Sequence, residues 1–216
     1  MQPHLNRKLI QFEYAQYCTN GAACGIFSGN MGKLGERDKD LLEQLIGGGP
    51  KTFALLYSIK RDGCNADTFH SKCDNQGPTL TVLYNSHESV YGGYTGVSWI
   101  KRDHDTTDSA AFLFRLYLNG KLLPVKFPRK ETNREDIFDK DNCGPTFGKD
   151  DTPDLKTFVN DVSRTGYTFA LNGCTNFGES YNMKGVNEKE INNETMEVKE
   201  LEVYRVSGNV YYEWFD

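Results

Sequence analysis

The chain has 216 residues, of which 38% are hydrophobic and 25% are charged. This length suits one compact domain with an appendage and excludes a large multidomain protein. The formal net charge of −5 argues against sequence-independent binding of nucleic acid, which needs clustered lysine and arginine to neutralise phosphates.

Two amphipathic helices are predicted near the N-terminus. Leu5, Leu9 and Phe12 recur at helical spacing and predict the first helix. The second helix is predicted to begin near Glu36, because acidic residues in its first turns complement the positive end of the helix dipole. Its packing stripe consists of four aliphatic residues, Leu41, Leu42, Leu45 and Ile46. The glycines and proline of 47–50 end it.

We place the domain boundary at this glycine run. The prediction is an N-terminal helical segment over residues 1–50 and one domain over residues 51–216. The domain opens with a strand over Thr52 to Ser58, because apolar side chains alternate there. One face of this strand is predicted to carry Phe53, Leu55 and Tyr57.

A short helix and two strands are expected next. Asn65 is a candidate N-cap, and the buried side of the helix is predicted to hold Ala66, Phe69 and Cys73. Thr79 to Tyr84 alternates as a strand with Leu80, Val82 and Tyr84 on one face. In the strand region over Val90 to Trp99, Gly92-Gly93 predicts a bulge or a close approach of backbones.

The middle of the chain predicts a hairpin and a loop. Ala111 to Leu118 is apolar on both faces except for Arg115, which indicates a central strand covered from both sides. Leu122 to Phe127 is its expected partner across Asn119-Gly120, a pair suited to a type I′ turn. The mixed charges of Arg129 to Asn142 predict a solvated loop.

Two further segments are predicted before the last strands. Tyr167 to Leu171 is predicted to form a short strand. The polar, Asn-rich stretch from Asn182 to Thr195 is predicted to be a mobile insertion. Val210 to Phe215 is expected to form a final strand. Several strands in hairpin-like succession with short helices favour an α+β fold, a sandwich of two antiparallel β-sheets flanked by short helices.

The strand before the C-terminus carries an irregularity in its alternation. Met196 and Val198 share one face, whereas Leu201 and Val203 fall on the other if the alternation is unbroken. A bulge near Lys199-Glu200 would shift the phase by one residue and bring both groups to the same face. We therefore predict a bulge there.

Known catalytic and cofactor patterns fit the sequence poorly. Gly32-Lys33 is followed by Leu34 where a phosphate-binding loop needs serine or threonine. Cys64, His70 and Cys73 offer three zinc ligands without an obvious fourth, so core packing is the favoured interpretation. We expect no enzyme activity, no cofactor and no metal.

The cysteines and the N-terminus predict a reducing environment. Met1 to Lys8 lacks the apolar stretch of a secretion signal, and no apolar run of about 18 residues exists to span a bilayer. We therefore expect a cytoplasmic protein without membrane insertion, whose thiols stay reduced. Cys174, in a glycine-containing loop, is the candidate for a redox-active thiol.

An ordered series of motifs between Phe53 and Val206 resembles the TLDc domain family. The first part of the series is Leu55-Leu56-Tyr57-Ser58, Arg61-Asp62-Gly63, Phe69-His70 and the run from Cys73 to Thr81. The second part is Gly92-Gly93-Tyr94-Thr95, Trp99, Ala111-Phe112-Leu113-Phe114, Phe127, the run from Gly144 to Gly148, and Leu201-Glu202-Val203-Tyr204. The order of these motifs is specific where any single one would be weak.

The resemblance implies a function as well as a fold. Members of this family form a sandwich of two antiparallel sheets, and they are associated with resistance to oxidative stress and with binding the vacuolar-type proton-pumping ATPase. A related domain stands at the N-terminus of interferon-induced GTPase-like proteins. We therefore expect a non-enzymatic interaction module with a protein partner. The alternatives are the N-terminal module of such an immune protein and a cysteine-based redox protein.

The resemblance supplies no catalytic residues, because none are firmly assigned in the family. The candidate binding residues are those that match its motifs: Gly92, Gly93, Gly144, Gly148 and Glu202. We interpret the glycines first as backbone requirements. Glu202 lies between Leu201 and Val203, so it either faces away from the core or is buried and paired, and it is the leading candidate for an interaction or network role. The segment from Asn172 to Gly178 departs from the animal oxidation-resistance proteins.

Overall fold

The computed structural model describes residues 32–208. The helix predicted around Leu5 to Phe12 and the strand predicted over Val210 to Phe215 lie outside the described residues. Within them the helices are α1 (Glu36–Ile46), α2 (Ile59–Asp62), α3 (Ala66–Cys73) and α4 (Lys189–Asn192). The first seven strands are β1 (Lys51–Ser58), β2 (Cys64–Asn65), β3 (Thr79–Asn85), β4 (Val90–Thr95), β5 (His104–Thr106), β6 (Phe112–Leu118) and β7 (Lys121–Pro128). The others are β8 (Ile137–Asp139), β9 (Thr146–Phe147), β10 (Leu155–Lys156), β11 (Asp161–Val162), β12 (Arg164–Thr165), β13 (Thr168–Ala170) and β14 (Glu197–Gly208).

The strands form antiparallel sheets, which confirms the predicted α+β sandwich class. The large sheet has eight strands in the order β12-β13-β14-β3-β4-β6-β7, with β1 also paired to β14. The small sheet has the order β10-β9-β8-β5, and β2 pairs with β11. The long strand β14 therefore contacts β1, β3 and β13 and lies in the interior of the large sheet.

The large sheet separates two hydrophobic cores. On one side, which we call the helix face, α1 inserts Leu42 among side chains of the sheet, Leu80, Val82, Phe112, Phe114, Leu116 and Tyr204. On the other side, the small-sheet face, α3 and the small sheet contribute Phe69, Ile137, Phe147 and Leu155 to a core with Leu83, Leu113, Leu201 and Val203. The central strands are buried on both faces, as predicted for β6.

Helix α1 is tied to the sheet near both of its ends. The Tyr117 hydroxyl donates to Asp38 Oδ1 at 2.8 Å, and Lys126 Nζ donates to the Leu45 carbonyl oxygen at 2.6 Å. The second bond satisfies a carbonyl at the C-terminal end of the helix, which has no partner within the helix. The predicted helix is confirmed, and it packs directly onto the sheet that follows it.

Several local predictions are confirmed because short-range chemistry determines them. The Asn65 side chain accepts the Thr68 N–H at 2.8 Å and caps α3. Asn119 and Gly120 both have positive φ, 51° and 73°, as a type I′ turn between β6 and β7 requires. The predicted bulge in β14 lies between Val198 and Glu200, where the register to β3 shifts. As a result Val198, Leu201 and Val203 share the small-sheet core.

One prediction about a strand face is wrong. Tyr57 does not share a face with Phe53 and Leu55: the register shifts between Leu55 and Tyr57, which moves Tyr57 into the small-sheet core.

The prediction for Gly92-Gly93, a bulge or a close approach of backbones, is confirmed in its second form. The backbone of Gly92 lies so close to the Thr81 carbonyl group of β3 that no side chain would fit between them. The register shift of this strand lies just before, between Val90 and Tyr91.

Two segments predicted as irregular contain buried structure. Within Arg129 to Asn142, strand β8 is wholly buried, so the solvated-loop prediction is wrong for that part. Within Asn182 to Thr195, α4 buries Ile191 and Asn192, because the helix packs against β4 and β6. Both segments are polar in sequence, yet each carries a few side chains that long-range contacts bury.

Candidate functional site

Glu202 lies in the middle of β14 on the helix face and is only 3% exposed. Both of its carboxylate oxygens accept the Lys33 backbone N–H at 3.0 Å, and Oε2 accepts the Tyr204 hydroxyl at 2.6 Å. The Tyr204 oxygen in turn accepts the Leu34 N–H at 3.4 Å. Glu202 is thus buried and paired, and it holds the segment that precedes α1 against the last strand of the sheet.

Two tyrosines near Glu202 hold their protons more tightly than a free tyrosine does. Burial, and then the hydrogen bond to Glu202, raise the pKa of Tyr204, while burial and the charge of Glu202 raise the pKa of Tyr84. Glu200 lies two residues before Glu202 on β14. It accepts the Ser58 hydroxyl at 3.1 Å and the Lys60 N–H at 3.2 Å, and burial raises its pKa. These hydrogen bonds attach the segment before α1, and the junction of β1 and α2, to strand β14.

The candidate glycines fall on the two faces of the large sheet. On the helix face, Val82 of β3 pairs with Glu202 of β14 on one side and with Gly92 of β4 on the other. A side chain on Gly92 would overlap the Thr81 carbonyl group of the neighbouring strand. Gly93 faces the other way, where a Cβ atom would come within 2.5 Å of the Phe147 ring. The structure therefore separates Gly92 and Glu202 from Gly93.

Gly144 and Gly148 lie on either side of β9, the strand that carries Phe147. A Cβ atom on Gly144 would come within 2.5 Å of the Phe158 ring. Gly148 has a φ of +93°, which L-amino acids rarely adopt, and a Cβ atom there would lie 2.7 Å from the Asp154 nitrogen. All four candidate glycines are buried, so they allow close packing and present no side chain or open surface.

A set of buried aspartates, which sequence reasoning missed, attaches the loops of the small-sheet face. The four are Asp108, Asp136, Asp139 and Asp154, and each is at most 4% exposed. Asp154 accepts the backbone N–H groups of Gly178 and Ser180, both at 2.7 Å. Burial raises the pKa of Asp154 to about 6, although these hydrogen bonds act in the opposite direction.

The other aspartates have the same kind of partner. Asp136 accepts the Asp108 N–H and the Arg129 Nε–H, both at 2.8 Å. Asp108 Oδ2 accepts the Gly96 N–H at 2.6 Å, and Asp139 Oδ2 accepts the Ile100 N–H at 2.7 Å. Since backbone donors from distant loops occupy these carboxylates, the aspartates act as structural anchors.

The predicted zinc candidates do not converge on an open site. His70 is 1% exposed; its Nδ1 lies 2.8 Å from Asp74 Oδ1 and its Nε2 lies 2.8 Å from the Lys140 carbonyl oxygen. Both ring nitrogens are therefore engaged. Across residues 32–208, no group of three or more histidine, cysteine or acidic side chains is placed to hold a metal ion.

The four described cysteines are free, and they differ in exposure. Cys64, Cys73 and Cys143 are buried, and burial raises the pKa of each thiol, to about 12 for Cys64. Cys174 is exposed. Its backbone pairs with that of Lys156, which fixes the loop predicted to carry the redox candidate.

Comparison with known protein families now defines the relationship of the chain. The model of the TLDc domain matches residues 39–207. The chain belongs to the TLDc family. The match begins within α1 and ends within β14, so it includes both hydrophobic cores. TLDc domains are in general non-catalytic modules for protein–protein interaction.

Two further findings complete the comparison. A search among curated proteins gives no match for this TLDc chain. In the part of the chain that the structure describes, no helix has the length and apolar character needed to cross a membrane.

Proposed function

We propose that this TLDc domain is a non-enzymatic interaction module that binds the vacuolar-type proton-pumping ATPase and contributes to protection against oxidative stress. The observation that carries the proposal is the TLDc match over residues 39–207, since the family is one of interaction modules.

The β12–β13 hairpin is the first surface to examine for this partner. Tyr167, at its turn, is 83% exposed, the highest value among the large hydrophobic side chains of the described residues. The Arg164 guanidinium lies 6.0 Å from the centre of the Tyr167 ring. Tyrosine and arginine are over-represented among the residues that contribute most to protein–protein binding energy.

Purified components test the proposal directly. The tagged chain is incubated with the soluble sector of the ATPase, and recovery is measured against a heat-unfolded sample. We expect recovery of ATPase subunits, and a loss of affinity of about tenfold or more for Tyr167→Ser, as for a residue at the centre of an interface. Ile100→Ser, which changes another exposed apolar residue, serves as the control.

Two results would contradict the proposal at different levels. A folded chain that recovers no more ATPase than the unfolded sample rules out the partner. Equal binding by Tyr167→Ser and the unchanged chain keeps the partner and excludes the hairpin as the contact.

A second function is proposed from the exposure of Cys174. Thiolate sulfur attacks a peroxide oxygen to give a sulfenic acid and water or an alcohol, and this needs an accessible thiol. Cys174 is accessible, whereas the other described cysteines are buried. Peroxide consumption should fall in Cys174→Ser and persist in Cys143→Ser. Identical consumption by both variants and the parent would exclude the redox function.

A further inference from the structure

A surface cavity of about 340 Å³ opens beside the Glu202 network. Its walls include two lysines, one carboxylate and apolar or aromatic side chains, namely Lys33, Lys199, Glu88, Tyr84, Val90 and Tyr117. The volume lies at the lower end of the range for small-molecule sites, which are usually mostly apolar with a few charged or polar groups. Aromatic and aliphatic walls with two ammonium groups and one exposed carboxylate have this composition.

The Lys33 ammonium is held in place without a carboxylate partner. Its Nζ atom lies 4.4 Å from the centre of the Tyr84 ring, and no ion pair joins it to another side chain of residues 32–208. The charges of Glu200 and Glu202 also act on Lys33, but both carboxylates are buried, and hydroxyl and backbone donors occupy them. Glu88 lines the same cavity and forms no ion pair with a lysine of residues 32–208. Partial burial, and then the charge of Lys60, lower the pKa of Lys33.

Lysines concentrate at this place on a chain whose net charge is −5. The charges of Lys60 and Lys199 both act on Lys33, and neither of these lysines forms an ion pair with the described residues. Neighbouring cations without carboxylate partners repel one another, and an anion placed between them removes that repulsion. A phosphate dianion matches two or three such charges better than a single carboxylate does.

The second cavity on the helix face shows that basic residues alone do not make such a site. It has a volume of about 390 Å³ and also contains three cations, but each already has an acceptor. Lys51 Nζ donates to the Gly49 carbonyl oxygen at 2.7 Å, Lys126 Nζ donates to the Leu45 carbonyl oxygen at 2.6 Å, and Arg129 pairs with Asp136. Of these two cavities, the one at Lys33 combines room with ammonium groups that lack an acceptor among residues 32–208.

We propose that the cavity beside Tyr84 binds a small phosphorylated molecule. Its phosphate lies against Lys33 and Lys199, and its apolar part lies against Tyr117 and Val90. Lys33 is attached through its own backbone N–H to Glu202, so the site is formed by the same contact that fixes the start of the domain. The site is independent of the ATPase proposal, which rests on the family assignment and on the distant Tyr167.

Phenyl phosphate is the probe, because it joins a phosphate to an aromatic ring. Binding to the full chain is measured by calorimetry and by amide shifts, with inorganic phosphate and phenol as the separated parts. We expect phenyl phosphate to bind more tightly than either part. Lys33→Met and Lys199→Met should each weaken binding about tenfold or more, as expected for the loss of a charge-assisted contact.

Lys126→Met is the matched control, since Lys126 Nζ also lies over an aromatic ring, 4.1 Å from the centre of Phe112. This variant should bind phenyl phosphate as the unchanged chain does. An equal effect of Lys126→Met and Lys33→Met overturns the proposal, as does the absence of binding at millimolar probe. Binding of an acidic peptide through Lys33 without binding of phenyl phosphate overturns it too, and assigns the cavity to a protein partner. Lys33→Met keeps the backbone contact to Glu202, and Lys199→Met provides a second variant that keeps the test valid if Lys33→Met folds poorly.

Discussion

The two faces of the large sheet are closed in different ways. Within residues 32–208, the helix face is covered by α1, and the segment before α1 is attached by one strand carboxylate, Glu202. A second sheet, α3 and several loops cover the small-sheet face, and buried aspartates of the loops attach them to one another. The comparison indicates that the packing and hydrogen bonds of the small-sheet face contribute most to the stability of the domain, whereas α1 is attached to the sheet at a few points.

The largest effect is expected from Phe147→Ala on the small-sheet face. Phe147 is fully buried; its ring lies against Gly93, and the ring centre is 6.1 Å from that of Trp99. Removing the ring should lower the free energy of unfolding by about 3–5 kcal/mol, through lost burial and the cavity left behind. Denaturant titration measures this. The exposed Leu123→Ala is the control, and equal losses for the two would contradict the prediction.

A smaller loss of stability is expected when the packing of α1 against the helix face is weakened. Leu42 is the buried residue of α1, and Leu42→Ala should lower the free energy of unfolding by about 2–3 kcal/mol. Gln44→Ala, on the exposed side of the same helix, should change it by less than about 0.5 kcal/mol. A loss for Leu42→Ala that exceeds the loss for Phe147→Ala would reverse the comparison of the faces.

The aspartate anchors predict a pH dependence. Because the pKa of Asp154 is about 6 in the folded protein and 3.8 in its ordinary state, the folded protein binds this proton more tightly than the unfolded chain. The contribution of Asp154 to stability is therefore full below about pH 4 and is lost as the pH rises to about 6. The difference is on the order of 3 kcal/mol.

Asp154→Asn isolates this contribution, since the amide does not titrate there. The decrease in stability between pH 4 and pH 6.5 should be smaller in Asp154→Asn than in the unchanged chain. Asp141→Asn, at an exposed position, should keep the original slope. Parallel pH profiles for all three proteins would refute the assignment.

The smallest change in the free energy of unfolding is expected when the hydrogen bonds between Glu202 and the Lys33 N–H are weakened. Glu202→Gln keeps the shape of the side chain but removes the charge that two oxygens present to the Lys33 N–H. We expect a loss of about 1–2 kcal/mol in the free energy of unfolding, together with faster hydrogen exchange at the Lys33 amide. Glu197→Gln is the control on the same strand. Unchanged exchange at Lys33 would show that the Glu202 carboxylate does not hold the segment before α1.

The sequence predicts those parts of the fold whose causes lie within a few residues. The cap at Asn65, the turn at Asn119-Gly120 and the bulge before Leu201 each follow from local chemistry or from a broken alternation. Strand β8 does not, because Ile137 and Phe138 stand between two aspartates in a charged stretch. Their burial depends on backbone donors and on Arg129, which local patterns do not locate.

The candidate site shows the same division between local and distant causes. Glu202 could be singled out as a network residue from its place between Leu201 and Val203. Its partner, the Lys33 N–H, lies 169 positions earlier and has no local signal. The cavity at Lys33 was missed for that reason, since it exists only where the segment before α1 meets the sheet.

The position of β14 has a consequence for how the protein is made. This strand is the last described element to leave the ribosome, yet it lies between β3 and the strands β1 and β13. Until it is synthesised, β1 has no partner strand, both cores lack side chains, and the Lys33 N–H lacks its acceptor. A nascent chain that stops before β14 therefore cannot complete the large sheet or either core from its earlier strands.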